Sequence, residues 1–114
     1  PSAVAVKHNN PCGAAIHVHG DKAVELCLAA DPVSVFGGIV AINHEVSGAA
    51  AEALSKVFLE CVVAPKYSKD ALEILGKKKN LRLLAWPEMG LRDDFWRVQS
   101  LQGGFLVQEA DRVH

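Results

Sequence analysis

An α/β fold, with a largely parallel sheet covered by helices, is what this sequence predicts. Short apolar runs at Ser2–Val6, Ile39–Ile42 and Leu59–Val63 have the length and residue types of buried strands. Between them lie stretches with apolar residues at helical spacing, led by Ala23, Val24, Cys27 and Leu28. Strands that alternate with helices need crossover connections, and crossovers favour parallel pairing.

Ser2–Val6 opens the chain as a strand, and a sharp turn is expected just beyond it. Pro11 has no N–H to pair and holds Asn10 extended, while Gly13 accepts backbone signs that other residues resist. Gly13–Ile16 reads as a second extended piece. Asp21 is the expected cap of a helix through Ala30, stopped by Asp31-Pro32. Gly37-Gly38 then releases the chain into Ile39–Ile42. Ser47 caps a helix to about Lys56, with Ala50, Ala53, Leu54 and Val57 inward. Leu59–Val63 stops at Ala64-Pro65, and Ser68 begins a helix with Ala71, Leu72 and Leu75 inward, ended by Gly76. Leu81–Ala85 is extended again. Trp86 to Arg97 has no period and reads as an irregular crossing, and Gln99–Gln108 is expected as a last strand containing Gly103-Gly104. With no repeats or linker, one domain is predicted over residues 1–114.

At 114 residues the chain can build one small core. Half the residues are apolar, 22% are charged and the net charge is −1, which argues against a nucleic-acid binder. The apolar runs are too short for a membrane span. Three cysteines, Cys12, Cys27 and Cys61, lack metal-like spacing and read as free thiols of a reducing compartment. The chain starts at Pro1 inside an expected strand, so a piece of a longer polypeptide is expected.

Lys7-His8-Asn9-Asn10-Pro11-Cys12-Gly13 is the most informative segment. Neighbours inside a strand point to opposite faces, but a turn can swing Lys7 and His8 into one cleft. Open α/β sheets bind ligands at the carboxyl ends of strands, where this pair would sit. Histidine exchanges protons near pH ~6.5, and an ammonium can stabilise an oxyanion in a dry cleft. The plainer reading is a solvated lysine beside a histidine bonded to turn backbone. Cys12 could be a nucleophile paired with His8, but reads more simply as a small thiol packing the turn. A zinc deaminase signature, H-x-E with P-C-x-x-C, fails because Ala15 stands where the second cysteine belongs and Asn10 where the glutamate does. His17-Val18-His19 leaves a metal under-coordinated and reads as a polar loop. In Asp31-Pro32-Val33-Ser34-Val35-Phe36-Gly37-Gly38, the glycines allow a ligand close to backbone and Phe36 walls a pocket or plugs the core. Glu60 interrupts an apolar strand, either half-exposed or aimed into a site. Lys77-Lys78-Lys79 looks like an anion patch, but reads more simply as the solvated end of a helix, where it complements the dipole.

These segments, with Ala64-Pro65-Lys66-Tyr67, Leu72-Glu73-Ile74-Leu75 and Gly103-Gly104-Phe105-Leu106-Val107-Gln108, occur in an order that closely resembles one family. It is the AICAR transformylase half of the bifunctional AICAR transformylase/IMP cyclohydrolase proteins. The resemblance implies a three-layer α/β/α sandwich, cytidine-deaminase-like and without zinc. It implies formyl transfer from 10-formyltetrahydrofolate to the exocyclic amine of AICAR in purine biosynthesis, in a cytoplasmic homodimer that uses no metal here, nucleic acid or membrane. His8 would be base and ligand contact, and Lys7 would stabilise the transition state. Gly37 and Glu60 would bind nucleotide, with Phe36 beside them. Val35 departs from a smaller residue in the family, and Trp86 to Arg97 matches less well. The family's essential asparagine and its arginine and aromatic contacts come from a later half, so this chain is expected to carry part of a site. The alternative is a non-catalytic nucleotide-binding or dimer-interface module.

Overall fold

The computed structural model describes residues 1–89 and 96–110. The main sheet holds β1 (Ser2–Lys7), β2 (Asn10–Ile16), β3 (Gly38–Ile42), β4 (Leu59–Ala64) and β5 (Arg82–Ala85), in the order β2-β1-β3-β4-β5. Helices α1 (Gly20–Ala30), α2 (Gly48–Ser55) and α3 (Lys69–Leu75) connect them. A separate hairpin pairs β6 (Arg97–Leu101) with β7 (Gly104–Gln108).

β3, β4 and β5 are parallel, but β1 is antiparallel to both of its neighbours, so the sheet is mixed. The crossover logic holds between β2 and β3, which run the same way and are joined through α1. β1 is inserted between them by its hairpin with β2. Successive right-handed crossovers in one direction put α2 and α3 on the same face. Ala3, Ala5, Val40, Ile42, Val62 and Ala64 supply the sheet's side of a single core, met by Val24, Leu28, Ala50, Leu54, Ala71 and Leu75. The alternate residues Val4, Val6, Ile39, Ala41 and Val63 face the other way and stay partly or fully exposed. The sheet and one helix layer of the expected sandwich therefore lie within the described residues.

Local chemistry sets the helix ends. Ser47 Oγ and Ser68 Oγ accept from the Ala50 and Ala71 N–H groups at 3.1 Å each, satisfying donors the helices cannot. Asp21 is not the cap expected. His19 occupies that position without a side-chain bond, and Asp21 in the first turn accepts from Ser47 Oγ. Gln99–Gln108 is not one strand either. It folds back at Gln102-Gly103, where Gly103 adopts φ 84°. The crossing expected from Trp86 to Arg97 begins with a turn closed by the Met89 N–H on the Trp86 carbonyl at 3.0 Å. Its remainder at 90–95 lies outside the described residues.

Candidate functional site

β1 runs through Lys7 and β2 begins at Asn10, so the loop between them is only His8-Asn9. Both residues have positive φ, 53° and 66°. Two consecutive left-handed residues match the twist of paired strands, and asparagine tolerates that region better than most. Histidine there costs on the order of 1 kcal/mol, strain of a kind that accumulates at functional sites. The turn thus falls earlier than Pro11 and Gly13 suggested. Pro11 sits in β2, an edge strand that tolerates its missing N–H. Gly13 has no positive φ. A Cβ there would lie 2.3 Å from the Cys27 carbonyl oxygen, so the residue serves the close approach of β2 to α1.

Lys7 Nζ donates to the Phe36 carbonyl at 2.7 Å, joining the first motif to the second across 29 residues. Asp31 shapes that second segment. Its Oδ1 accepts from the N–H groups of Val33 (3.2 Å) and Ser34 (2.9 Å), and bonds from the Ser34 side chain and backbone hold its carboxyl below the usual range. Gly37 adopts φ 73° and gives its N–H to the Phe58 carbonyl at 2.8 Å. Gly38 lies at the tight start of β3, where a Cβ would come 2.9 Å from the Val35 carbonyl oxygen. Phe36 is exposed and its ring lies 5.1 Å from that of Phe58, centroid to centroid, so it walls a surface site and does not plug the core. Because β1 is antiparallel to β3, this assembly sits at the amino ends of β3 and β4. The carboxyl-end rule places it correctly for β1 alone.

Glu60 falls where the β3–β4 register shifts, Gly38 opposite Leu59 and Ile39 opposite Cys61, so it has no partner on β3. Its Oε2 accepts from Arg82 Nη1 at 3.3 Å, with both side chains about half exposed or more. Such a pair adds little stability. It borders an open cleft of about 420 Å³ lined by Phe58, Glu60, Lys79, Asn80, Leu81 and Arg82. A neighbouring cavity of about 160 Å³ shares Phe58, Lys79, Asn80 and Leu81 and adds Lys78. Phe58 therefore touches both halves of the site: Phe36 and Gly37 on one side, the Glu60 cleft on the other.

The structure thus brings Lys7, Phe36 and Gly37 into direct contact and links them through Phe58 to the cleft of Glu60. His8 is exposed beside them and, among the described residues, its ring makes no hydrogen bond. Sequence reasoning misses Phe58 and Arg82. Each stands at a strand boundary at the same end of the sheet, a signal visible only once strand order is known.

Other reactive side chains are occupied elsewhere. Cys12 Sγ lies 3.6 Å from the Ala5 carbonyl oxygen, away from His8, and burial raises the pKa of Cys27 and Cys61. His17 Nδ1 accepts from the His19 N–H at 3.0 Å. Among the described residues, no three His, Cys, Asp or Glu side chains converge as metal ligands, so the donor set does not fit a deaminase zinc.

A hairpin-led mixed sheet of order β2-β1-β3-β4-β5, with crossover helices on one face and a ligand-sized cleft at one end, defines an α/β domain of cytidine-deaminase-like architecture. RibD from Acinetobacter baumannii superimposes with a TM-score of 0.60 at 20% identity, over 72% of this chain and 27% of that one. A dCMP deaminase from the cyanophage S-TIM5 gives 0.59 at 12% identity, over 75% and 79%. At these identities the likeness is one of fold. The bifunctional purine biosynthesis protein PurH of Lysinibacillus sphaericus is 53% identical over 112 residues, 98% of this chain and 22% of that protein. Its counterpart in Caldicellulosiruptor bescii is 47% identical over 113 residues, again 22% of its length. The profile of the AICARFT/IMPCHase bienzyme matches residues 1–114, and the chain belongs to that family. It spans about a fifth of the length of these curated relatives.

Proposed function

We propose that this chain is the first cytidine-deaminase-like part of the transformylase region of a longer polypeptide. In that role it supplies part of the site that moves a formyl group from 10-formyltetrahydrofolate to the exocyclic amine of AICAR. The observation that carries this reading is the 2.7 Å bond from Lys7 Nζ to the Phe36 carbonyl, which ties the end of β1, beside the strained His8-Asn9 turn, to the diglycine segment. An ammonium has three donors. One is spent on Phe36, which aims the group and leaves two for a ligand.

The chemistry suits the pair. The amine of AICAR is a poor nucleophile because its lone pair is drawn into the ring and the adjacent carboxamide. Attack on the formyl carbon requires its proton to leave while the folate nitrogen receives one. His8 takes the proton, and Lys7 stabilises the oxyanion that forms on the formyl oxygen as the carbon becomes tetrahedral. Gly37 has already given its N–H to Phe58, so it offers the nucleotide a bare Cα and close approach. Glu60, held by Arg82, accepts hydrogen bonds from the nucleotide.

In the full-length polypeptide carrying this segment, His8→Ala is expected to lower turnover by about 10²- to 10⁴-fold with the fold retained, the usual range for a lost general base. Near-normal transfer by that variant overturns the assignment. The exposure of His8 favours a second reading, a non-catalytic nucleotide-binding or dimer-interface module. Under that reading His8→Ala shifts ribonucleotide affinity or dimer stability and leaves turnover alone.

A further inference from the structure

His8 and Asn9 are poor choices for the turn they make. Two consecutive positive φ values, 53° and 66°, belong to a two-residue hairpin loop whose favoured second residue is glycine. Both residues carry a Cβ, so local preference pulls the loop toward other conformations. Pairing of Lys7 with Asn10 closes the loop from outside, but His8 lies between the strands and its carbonyl stands outside their ladder. Asn10 reaches that carbonyl with its side chain: Nδ2 donates to the His8 oxygen at 3.1 Å. Two neighbours fix the backbone from which the amide reaches. Pro11 restricts Asn10 to an extended conformation, and the Lys7 pairing holds it in register.

The backbone of His8 decides where its ring goes. Turning φ from 53° to the ordinary right-handed value, about −63°, swings Cβ by roughly 115° around the N–Cα bond. Lys7 Nζ is anchored on the Phe36 carbonyl at 2.7 Å and does not follow. The relation between imidazole and ammonium therefore depends on His8 keeping its left-handed backbone. A misplacement of ~1 Å at a reacting group can cost about 10²-fold in rate. We infer that Asn10 is a positioning residue, whose amide clamps the His8 carbonyl and so holds the imidazole in place beside the Lys7 ammonium. It acts through the backbone of the turn and touches no reacting atom. The clamp stands on geometry, whereas its effect on turnover rests on the formyl-transfer reading.

The test uses the full-length polypeptide. Asn10→Ala removes the donor, and Asn10→Asp keeps the shape but turns a carboxylate oxygen toward the carbonyl. Asn10→Ala is expected to lower kcat about 3- to 10-fold, the equilibrium factor of one hydrogen bond, with KM for the ribonucleotide changed by less than about twofold. Asn10→Asp is expected to lower kcat further. Adding Asn9→Gly to Asn10→Ala supplies the residue this turn favours, and is expected to return kcat to within about twofold of wild type. Unchanged turnover in Asn10→Asp overturns the inference. So does a rise in KM alone, or a loss that Asn9→Gly leaves in place, since either makes Asn10 a ligand contact. Crystal structures read the clamp without any activity. Asn10→Asp is expected to show His8 outside the left-handed region, and a His8 still at positive φ with its ring unmoved overturns the clamp. If His8 shifts as expected but the wild-type polypeptide transfers no formyl group, the transfer reading falls and the clamp stands. Intact transfer in both single variants with His8 unmoved removes the clamp and leaves the transfer reading in place.

Discussion

His8 shows what a single residue discloses and what it hides. Its identity and its neighbour Lys7 are legible in the sequence as a chemical pair, but its positive φ is not, because the turn position follows from pairing of β1 with β2 rather than from Pro11. His44 gives no such signal, since nothing in the sequence shows that its ring packs on Gly20. A Cβ at Gly20 would lie 2.3 Å from His44 Nε2, and that nitrogen is buried without a partner among the described residues. Burial lowers its pKa, against weaker opposing effects from the Gly20 backbone and Asp21. A histidine lowered in the folded state is neutral there while the unfolded chain binds the proton. Its contribution is therefore complete above the unfolded value, ~6.5, and is lost as pH falls through it toward the folded value. Asp31 also loses its contribution as pH falls, but only from its ordinary value of 3.8 downward, below the pH range of the test. Thermal melting between pH 7.5 and 5.5 is expected to show a fall in Tm that is flatter in His44→Gln. The same slope in both proteins would remove His44 as the cause.

Ser47 and Ser68 are both readable as helix starts, because a hydroxyl before an apolar run has one common use at that position. What the sequence could not show is that Ser47 acts twice. It accepts from the Ala50 N–H and donates to Asp21, thereby pinning the first turn of α1 to the start of α2. Ser68 has the cap alone among the described contacts. Ser68→Ala is expected to cost about 1 kcal/mol in urea unfolding, the usual loss of a cap. Ser47→Ala is expected to cost roughly 2 to 3 kcal/mol, since a hydrogen bond to a carboxylate is lost as well. Pairing Ser47→Ala with Asp21→Ala in a double-mutant cycle isolates the link, and additive losses would mean the two helices are not coupled there. The β6–β7 hairpin is less legible. Gly103-Gly104 in an apolar run signals a turn or a bulge equally well, and only Gly103's positive φ decides it.

Across the whole molecule, the sequence discloses the layers better than the order of strands. Helical spacing identifies the buried faces of α1 and α2, but in α3 only Ala71 and Leu75 are buried and Leu72, expected inward, is exposed. Strand order depends on pairings between distant residues, and nothing local announces that β1 enters between β2 and β3. That insertion moves the site to the amino ends of β3 and β4, and it rests on how tightly the layers close. At Gly13 the close approach is of backbone to backbone. β1 and β2 slip register beside it, Ala5 opposite Gly13 but Val6 opposite Pro11, leaving Cys12 as the extra residue against the core. A methyl at Gly13 would meet the Cys27 carbonyl oxygen at 2.3 Å. Backbone cannot rotate away as a side chain can, so either β2 or all of α1 must retreat, carrying Val24 and Leu28 with it. Gly13→Ala is expected to cost roughly 2 to 3 kcal/mol, at the upper end for overpacking. At Gly37 an added Cβ would find only the Phe58 ring at 3.7 Å, and the burden is its φ of 73°, about 1 kcal/mol and confined to the site. Urea unfolding of the two variants should therefore rank Gly13→Ala well below Gly37→Ala in midpoint. An equal or reversed order would show that β2 and α1 can part freely, and that the hairpin bearing Lys7 and His8 is not held in place by the helix layer.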